Sequence, residues 1–253
     1  MTTQKVRLFD IDMDNVDMAG ALQTIDRLIS GGGKHFVVTP NVDHVVRLHE
    51  DAEFMGIYRR ASLVLADGMP VIWASKLFGK PLKERVAGSD LMVPLCKLAA
   101  EKGYSIYLLG SDPGVGEICA GKLKEMFPSV RVAGIYSPPY GFEKNEEENR
   151  KIVRQINEAK PDILFVALGA PKQEKWTAKH IDQIPIKLAL CVGASPDFIA
   201  GTMKRAPVWM RGIGLEWFWR LIQDPKRLWK RYFIEDAKFL RILFKEWRGD
   251  YKR

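Results

Sequence analysis

The chain has 253 residues, 47% hydrophobic and 28% charged, an ordinary globular balance with room for one sizeable α/β domain and an appendage. Its net charge of +8 is unevenly placed, because residues 1–200 carry 25 basic and 25 acidic side chains while residues 201–253 carry 14 and 6. No uncharged apolar run approaches the ~18 residues of a membrane span, and the N-terminal residues lack the apolar core of a signal peptide, so membrane contact is expected to be peripheral.

In chain order, Asp10-Ile-Asp-Met-Asp14 resembles a metal-binding DxD, but Leu8, Ile11 and Met13 read instead as an edge strand with acids on its wet face. Met18–Ile29 is helical by its apolar spacing, and strands are expected at His35–Thr39 and Leu63–Ala66. A helix at Asp90–Glu101 follows, with Ser89 as its expected N-cap. Strand Ser105–Gly110, helix Val115–Phe127 and strand Arg131–Ile135 come next, then the rigid Tyr136–Phe142 loop. Helix Glu146–Ala159 opens on three glutamates, and strands Asp162–Leu168 and Lys187–Val192 complete the body. Near-continuous apolar strands alternating with helices predict a doubly wound, Rossmann-like α/β fold, its mostly parallel sheet flanked by helices.

The tail reads differently. Five of the seven tryptophans lie there: Trp209, Trp217, Trp219, Trp229 and Trp247. Lys226–Arg248 is expected to be one amphipathic helix, with an indole-bearing apolar face and a cationic face suited to an anionic membrane surface. The aromatics form a continuous face rather than separate stacking platforms, which argues against nucleic acid. The expected organisation is therefore a catalytic domain over residues 1–200 and a basic helical membrane-binding appendage over 201–253.

Ligands of such sheets sit where strands end and helices begin. Five strand ends carry unusual residues: Thr39-Pro-Asn41, Asp67-Gly68, Gly110–Gly116, Gly169–Gln173 and Gly193–Asp197. Gly110–Gly116 can hold a phosphate on backbone amides but is not GxGxxG, which weakens a dinucleotide-dependent oxidoreductase reading. Gly169 admits a ligand close to the backbone, and Lys172 and Gln173 add a charge and an amide. Asp67 is either a general base or a helix N-cap. Arg85 is a candidate diphosphate clamp. The four histidines show no ligand spacing. Cys96, Cys119 and Cys191 form no CxxC and read as buried thiols in a reducing compartment.

Together Thr39-Pro-Asn41, Ala66-Asp-Gly68, Glu84-Arg-Val-Ala-Gly88, Phe165–Trp176 (FVALGAPKQEKW), Gly201–Pro207 (GTMKRAP) and the stretch from Gly214-Leu-Glu-Trp217 through Pro225-Lys-Arg227 resemble the WecG/TagA/CpsF family of bacterial glycosyltransferases, over about residues 6–233. The resemblance implies inverting, single-displacement transfer of N-acetylmannosamine, its uronic acid or glucose. The resemblance also implies a UDP-sugar donor and a polyprenyl-diphosphate-linked saccharide acceptor in cell-surface polysaccharide synthesis, at the cytoplasmic face of the plasma membrane. It implies Asp67 as base, with Thr39, Asn41, Arg85 and Gln173 beside it. Asp197 and the loop Tyr140, Gly141 and Phe142 fall on the nucleotide side. Arg220, Arg227 and Lys230 are implied to fold over the site and meet diphosphate charge. No cofactor or metal is expected, and a homo-oligomer is compatible with the resemblance. The alternative is a non-catalytic membrane-associated nucleotide-binding scaffold.

Overall fold

The structure, a computed structural model, describes residues 3–250, apart from the side chain of Arg227. An antiparallel hairpin of β1 (Lys5–Leu8) and β2 (Ile11–Asp14) leads into α1 (Met18–Gly31), β3 (His35–Val38), α2 (Val42–Glu50), α3 (Ala52–Arg60) and β4 (Leu63–Val64). There follow α4 (Met69–Leu77), α5 (Gly88–Lys102), β5 (Ser105–Gly110), α6 (Val115–Met126), β6 (Arg131–Tyr136), α7 (Glu146–Ala159) and β7 (Ile163–Ala167). Then come α8 (Lys172–His180), β8 (Leu188–Cys191), α9 (Ser195–Ala200), α10 (Val208–Gly212), α11 (Glu216–Gln223), α12 (Pro225–Lys230) and α13 (Phe239–Arg248).

Six strands form one sheet in the order β4-β3-β8-β7-β5-β6, every pair parallel. Alternate residues feed two cores. Phe36, Val38, Val64, Leu164 and Val166 pack on one face, and Val37, Leu63, Leu65, Ile163 and Phe165 on the other. That two-sided burial is why the strands read as unbroken apolar runs. A parallel sheet also sets all its strand C-termini along one edge, so the five unusual strand ends share that edge.

Two local expectations are corrected. Asp14 does not face water with Asp10 and Asp12; it is buried, and its Oδ2 accepts from the Val64 amide at 2.8 Å, joining the hairpin to β4. Asp12 pairs with Arg7 at 3.2 Å and Asp10 with Arg59 at 3.0 Å. Ser89 does not cap α5, which begins two residues earlier, at Gly88, with Ala87 as its N-cap. The cause is close packing: a Cβ on Gly88 would lie 2.9 Å from the Cys191 carbonyl oxygen and 3.3 Å from Thr39 Oγ1. Glycine there lets the helix start against the ends of β3 and β8.

The tail is not one α-helix. Between α12 and α13 the chain makes a π-helical turn over Arg231–Glu235 and a 3₁₀ turn over Asp236–Lys238. A π turn inserts an extra residue and rotates the following face. After it, Phe239 and Ile242 are buried, and the Phe239 ring meets Phe9 edge-on at 5.2 Å. Buried Glu246 accepts from the Phe9 amide at 3.1 Å and from Lys80 at 2.8 Å, fixing α13 to the β1–β2 turn. The opposite side keeps Trp229, Leu240, Phe244 and Trp247 exposed, with Lys230, Arg241, Lys245 and Arg248 among them. No helix among the described residues is long and apolar enough to cross a membrane. The three cysteines are buried and free, and burial pushes the Cys119 thiol up to about 12.

Candidate active site

A cavity of about 520 Å³ lies between the β3 and β4 strand ends and the tail. Asn41, Asp67, Gly68 and Arg85 line the body side, and Arg211, Glu216, Trp217, Arg220, Arg231, Tyr232, Phe233, Asp236, Phe239 and Leu240 line the tail side. One part of the wall is polar and arginine-rich; the rest is apolar.

Asp67 follows β4 directly, where its amide donates to the Pro40 carbonyl at 2.9 Å. It does not cap α4, whose N-cap is Gly68 with no side-chain bond. The N-cap reading therefore fails, and the carboxylate points to Arg85 at 3.4 Å. Burial raises the Asp67 pKa; Arg85 lowers it, Glu216 raises it, and Arg220 and His44 lower it. Arg85 also meets Asp90 at 2.5 Å and Glu216 at 3.8 Å. Asp90 is shared with Arg205 at 2.5 Å and Arg211 at 3.2 Å, while Arg220 pairs with Glu216 at 2.9 Å. Four arginines thus surround three carboxylates in this cluster, and among the described residues of the whole cavity lining four arginines face four carboxylates.

The other candidate residues are distributed along the same edge. Asn41 caps α2 through its side-chain oxygen and lines the cavity. Thr39 is buried beneath the start of α5. Buried Gln173 accepts from the Gly193 amide at 3.1 Å, joining the loops after β7 and β8. Asp197 accepts from Ser111 Oγ at 3.1 Å; burial raises its carboxyl while that hydrogen bond lowers it. Gly169 has φ +74° and open space where a Cβ would stand. Gly110 is explained by packing, since a Cβ there would lie 2.3 Å from the Ala167 carbonyl oxygen. Lys172 pairs with Glu143 at 2.8 Å and stands over the exposed Tyr140 ring. Gly141 turns the chain at φ +83°. Phe142 is buried in the core cluster beside that turn.

In the tail, Arg220 reaches the cavity and lies over the Phe198 ring. Lys230 is exposed and outside the cavity lining, and its neighbour Arg231 lines the cavity instead, 3.2 Å from Asp43. The side chain of Arg227 lies outside the described residues. Adjacent helical residues point roughly 100° apart, so Arg231 faces the cavity and Lys230 does not.

The model of the glycosyl transferase WecG/TagA/CpsF family matches residues 6–253. The chain belongs to this family. As a WecG/TagA/CpsF glycosyltransferase it is 32% identical over 228 residues to the N-acetylglucosaminyldiphosphoundecaprenol N-acetyl-beta-D-mannosaminyltransferase of Staphylococcus aureus strain MRSA252, covering 89% of this chain and 87% of that protein. It is 31% identical to the protein of the same name from strain MW2, with the same coverage. In this family member, the motif residues around Asp67 and Arg85 and the GTMKRAP arginine, Arg205, meet in one charge cluster.

Asp236 gives a prediction about how the tail is held. Its carboxyl is pushed up to about 6, first by burial, against Arg231, with Asp43 and Glu235 adding to the rise and Arg47 opposing it. Its Oδ1 has no hydrogen-bond partner among the described residues. A pKa raised by folding stabilises the fold below the unfolded value, and that stabilisation is lost as pH rises through about 6. Asp236→Asn is therefore expected to stabilise the protein by on the order of 1 kcal/mol at pH 8 and by almost nothing at pH 4, read from thermal melts at both.

Proposed function

We propose that the protein transfers N-acetylmannosamine or a close relative from a UDP-sugar to a polyprenyl-diphosphate-linked saccharide, by inverting displacement. The observation that carries this reading is a half-buried carboxylate, Asp67, at a strand end, facing arginines in a cavity whose far wall is the basic aromatic tail. The names of the Staphylococcus aureus relatives support the acceptor class and the sugar.

The chemistry follows from the side chains. Asp67, ionised, takes the proton of the acceptor hydroxyl as its oxygen attacks the anomeric carbon. The bond from that carbon to the β-phosphate oxygen breaks, and the electron pair leaves with UDP. Arg85, Arg220 and their neighbours stabilise the growing diphosphate charge without a metal. The apolar part of the cavity, with Trp217, Phe233 and Leu240, suits the first isoprene units of the acceptor. The loops bearing Gly169 and Asp197 lie further along the sheet edge and suit the nucleotide.

A panel of UDP-sugars with a short-chain lipid-diphosphate N-acetylglucosamine acceptor tests the reading. Lipid product with UDP-N-acetylmannosamine, with EDTA in the assay as well as without it, is expected. UDP-sugar binding with no transfer to any lipid acceptor would favour the scaffold reading.

The tail face reads as the membrane contact, on the cytoplasmic leaflet where such acceptors are assembled. Trp229, Phe244 and Trp247 are exposed beside Lys230, Arg241, Lys245 and Arg248. Replacing the three aromatics with alanine is expected to weaken binding to phosphatidylglycerol vesicles roughly 10-fold or more in co-sedimentation, since each buried aromatic contributes about 1.5–3 kcal/mol. Raised salt should weaken the wild type without releasing it fully, because indole burial survives screening. Unchanged binding of the triple variant would place the contact elsewhere.

A further inference from the structure

Helix α4 belongs to the body and is apolar on both sides. Its inner face sends Val71, Ile72 and Ala74 into the core, with buried Ser75 beside them. A helix with one face in the core normally turns polar and charged residues outward. The outer face of α4 instead carries Trp73, 50% exposed, and Leu77, 75% exposed, with exposed Lys76 between them. Residues four apart share a helix face, so the indole and the leucine side chain form one patch.

The tail touches α4 at both ends. Gly214, in the turn between α10 and α11, lies against the start of the helix, where a Cβ would be 2.8 Å from Met69 Cβ and 2.8 Å from the Trp73 ring. Glycine gives the turn this approach at φ +73°. Ile213 beside it is exposed, as are Val208 and Trp209 on α10. Beyond the other end of α4, Lys80 meets Glu246 of α13 at 2.8 Å. Met69 and Pro70 of α4 line the cavity together with Gly214 and with Leu240 of α13. Exposed apolar side chains therefore continue from the tail onto the body beside the cavity.

We propose that α4 is a second lipid-contacting element: Trp73 and Leu77 enter an anionic leaflet together with the tail face, so that the cavity meets the bilayer between α4 and α13. The inference deepens the membrane reading of the tail and rests on it. Charge commits the face to lipid rather than to a second copy of the chain. Exposed Lys76, with Lys230, Arg241, Lys245 and Arg248 of the tail, complements anionic headgroups, and would meet like charges across a symmetric interface. An exposed tryptophan, apolar in its ring and polar at one N–H, suits the headgroup boundary. The isoprenoid chain of an acceptor then reaches the cavity from within the leaflet, without exposing its apolar surface to water.

An environment-sensitive fluorophore on Leu77→Cys, Phe244→Cys or Ile118→Cys, each in the full-length protein, tests the contact without any turnover. The three native cysteines are buried, so the introduced thiol takes the label. On phosphatidylglycerol vesicles the labels at 77 and 244 are expected to shift to the blue, and the label at 118, on α6, to stay unchanged. A shift at 244 with none at 77 overturns the α4 contact and leaves the tail reading standing; no shift at either overturns both. A shift at 77 that needs no vesicles and grows with protein concentration would mean self-association, and also overturns the proposal. Trp73→Ser/Leu77→Ser is expected to weaken co-sedimentation with the same vesicles about 10-fold. Unchanged binding of the folded double variant counts against α4, and if that variant melts early the labelled proteins still decide it.

Discussion

Asp67→Asn is expected to lower kcat for sugar transfer roughly 10²- to 10⁴-fold while UDP affinity stays within about twofold. The substitution keeps the shape of the side chain and removes its ability to take a proton. Asp67 sits at the β4 end of the sheet edge, three strands from β7 and two from β8, whose loops suit the nucleotide. Donor binding therefore does not depend on it. The pKa of Asp67 is raised by burial, so the acid limb of the wild-type kcat/KM profile should lie above the ordinary aspartate range. Below that limb the base is protonated and transfer fails. The matched pair of measurements is turnover with the lipid acceptor and UDP binding by calorimetry. Near-wild-type turnover in the variant would take the base role from Asp67.

Arg85→Ala is expected to cost about 10²- to 10³-fold in kcat, and to destabilise the fold as well. Arg85 alone touches all three carboxylates of the cluster, Asp67, Asp90 and Glu216. Removing it leaves those charges partly uncompensated in a half-buried site, at a cost of about 3 kcal/mol or more. The Asp67 carboxyl should rise further, because Arg85 is the largest influence holding it down. Arg85→Lys returns the charge without the planar fork, so an intermediate kcat and a smaller stability loss are expected. Kinetics across pH and a thermal melt on the same three proteins check both parts. A variant with unchanged acid limb would show that Arg85 does not act on Asp67.

The sheet is legible in the sequence because strands such as Ile163–Ala167 are apolar on both faces and separated by helices. Its order is not legible, since parallel pairing between distant strands leaves no local mark. Nothing near Leu188, for example, tells that it lies between His35 and Ile163. Asp14 misleads because a strand acid reads as a surface group although it bonds the Val64 amide. Asp67 and Arg85 are visible at a strand end and in a motif. Arg205 and Glu216 also stand in motifs, but their joining with Asp90 and Arg211 is not legible, because these residues meet only through contacts spanning about half the chain. Arg231 escapes the sequence because its partner Asp43 lies far away in the chain.

The most direct test of a single base in a single displacement is the anomeric configuration of the product. Wild-type enzyme, an α-linked UDP-sugar and a short-chain lipid-diphosphate acceptor are incubated, and the new linkage is read by NMR. A β linkage formed with one UDP released per lipid product is the result expected when Asp67 only removes a proton. An α linkage would mean retention, by double displacement or by attack from the leaving-group face, and would contradict a single inverting displacement with Asp67 as its base.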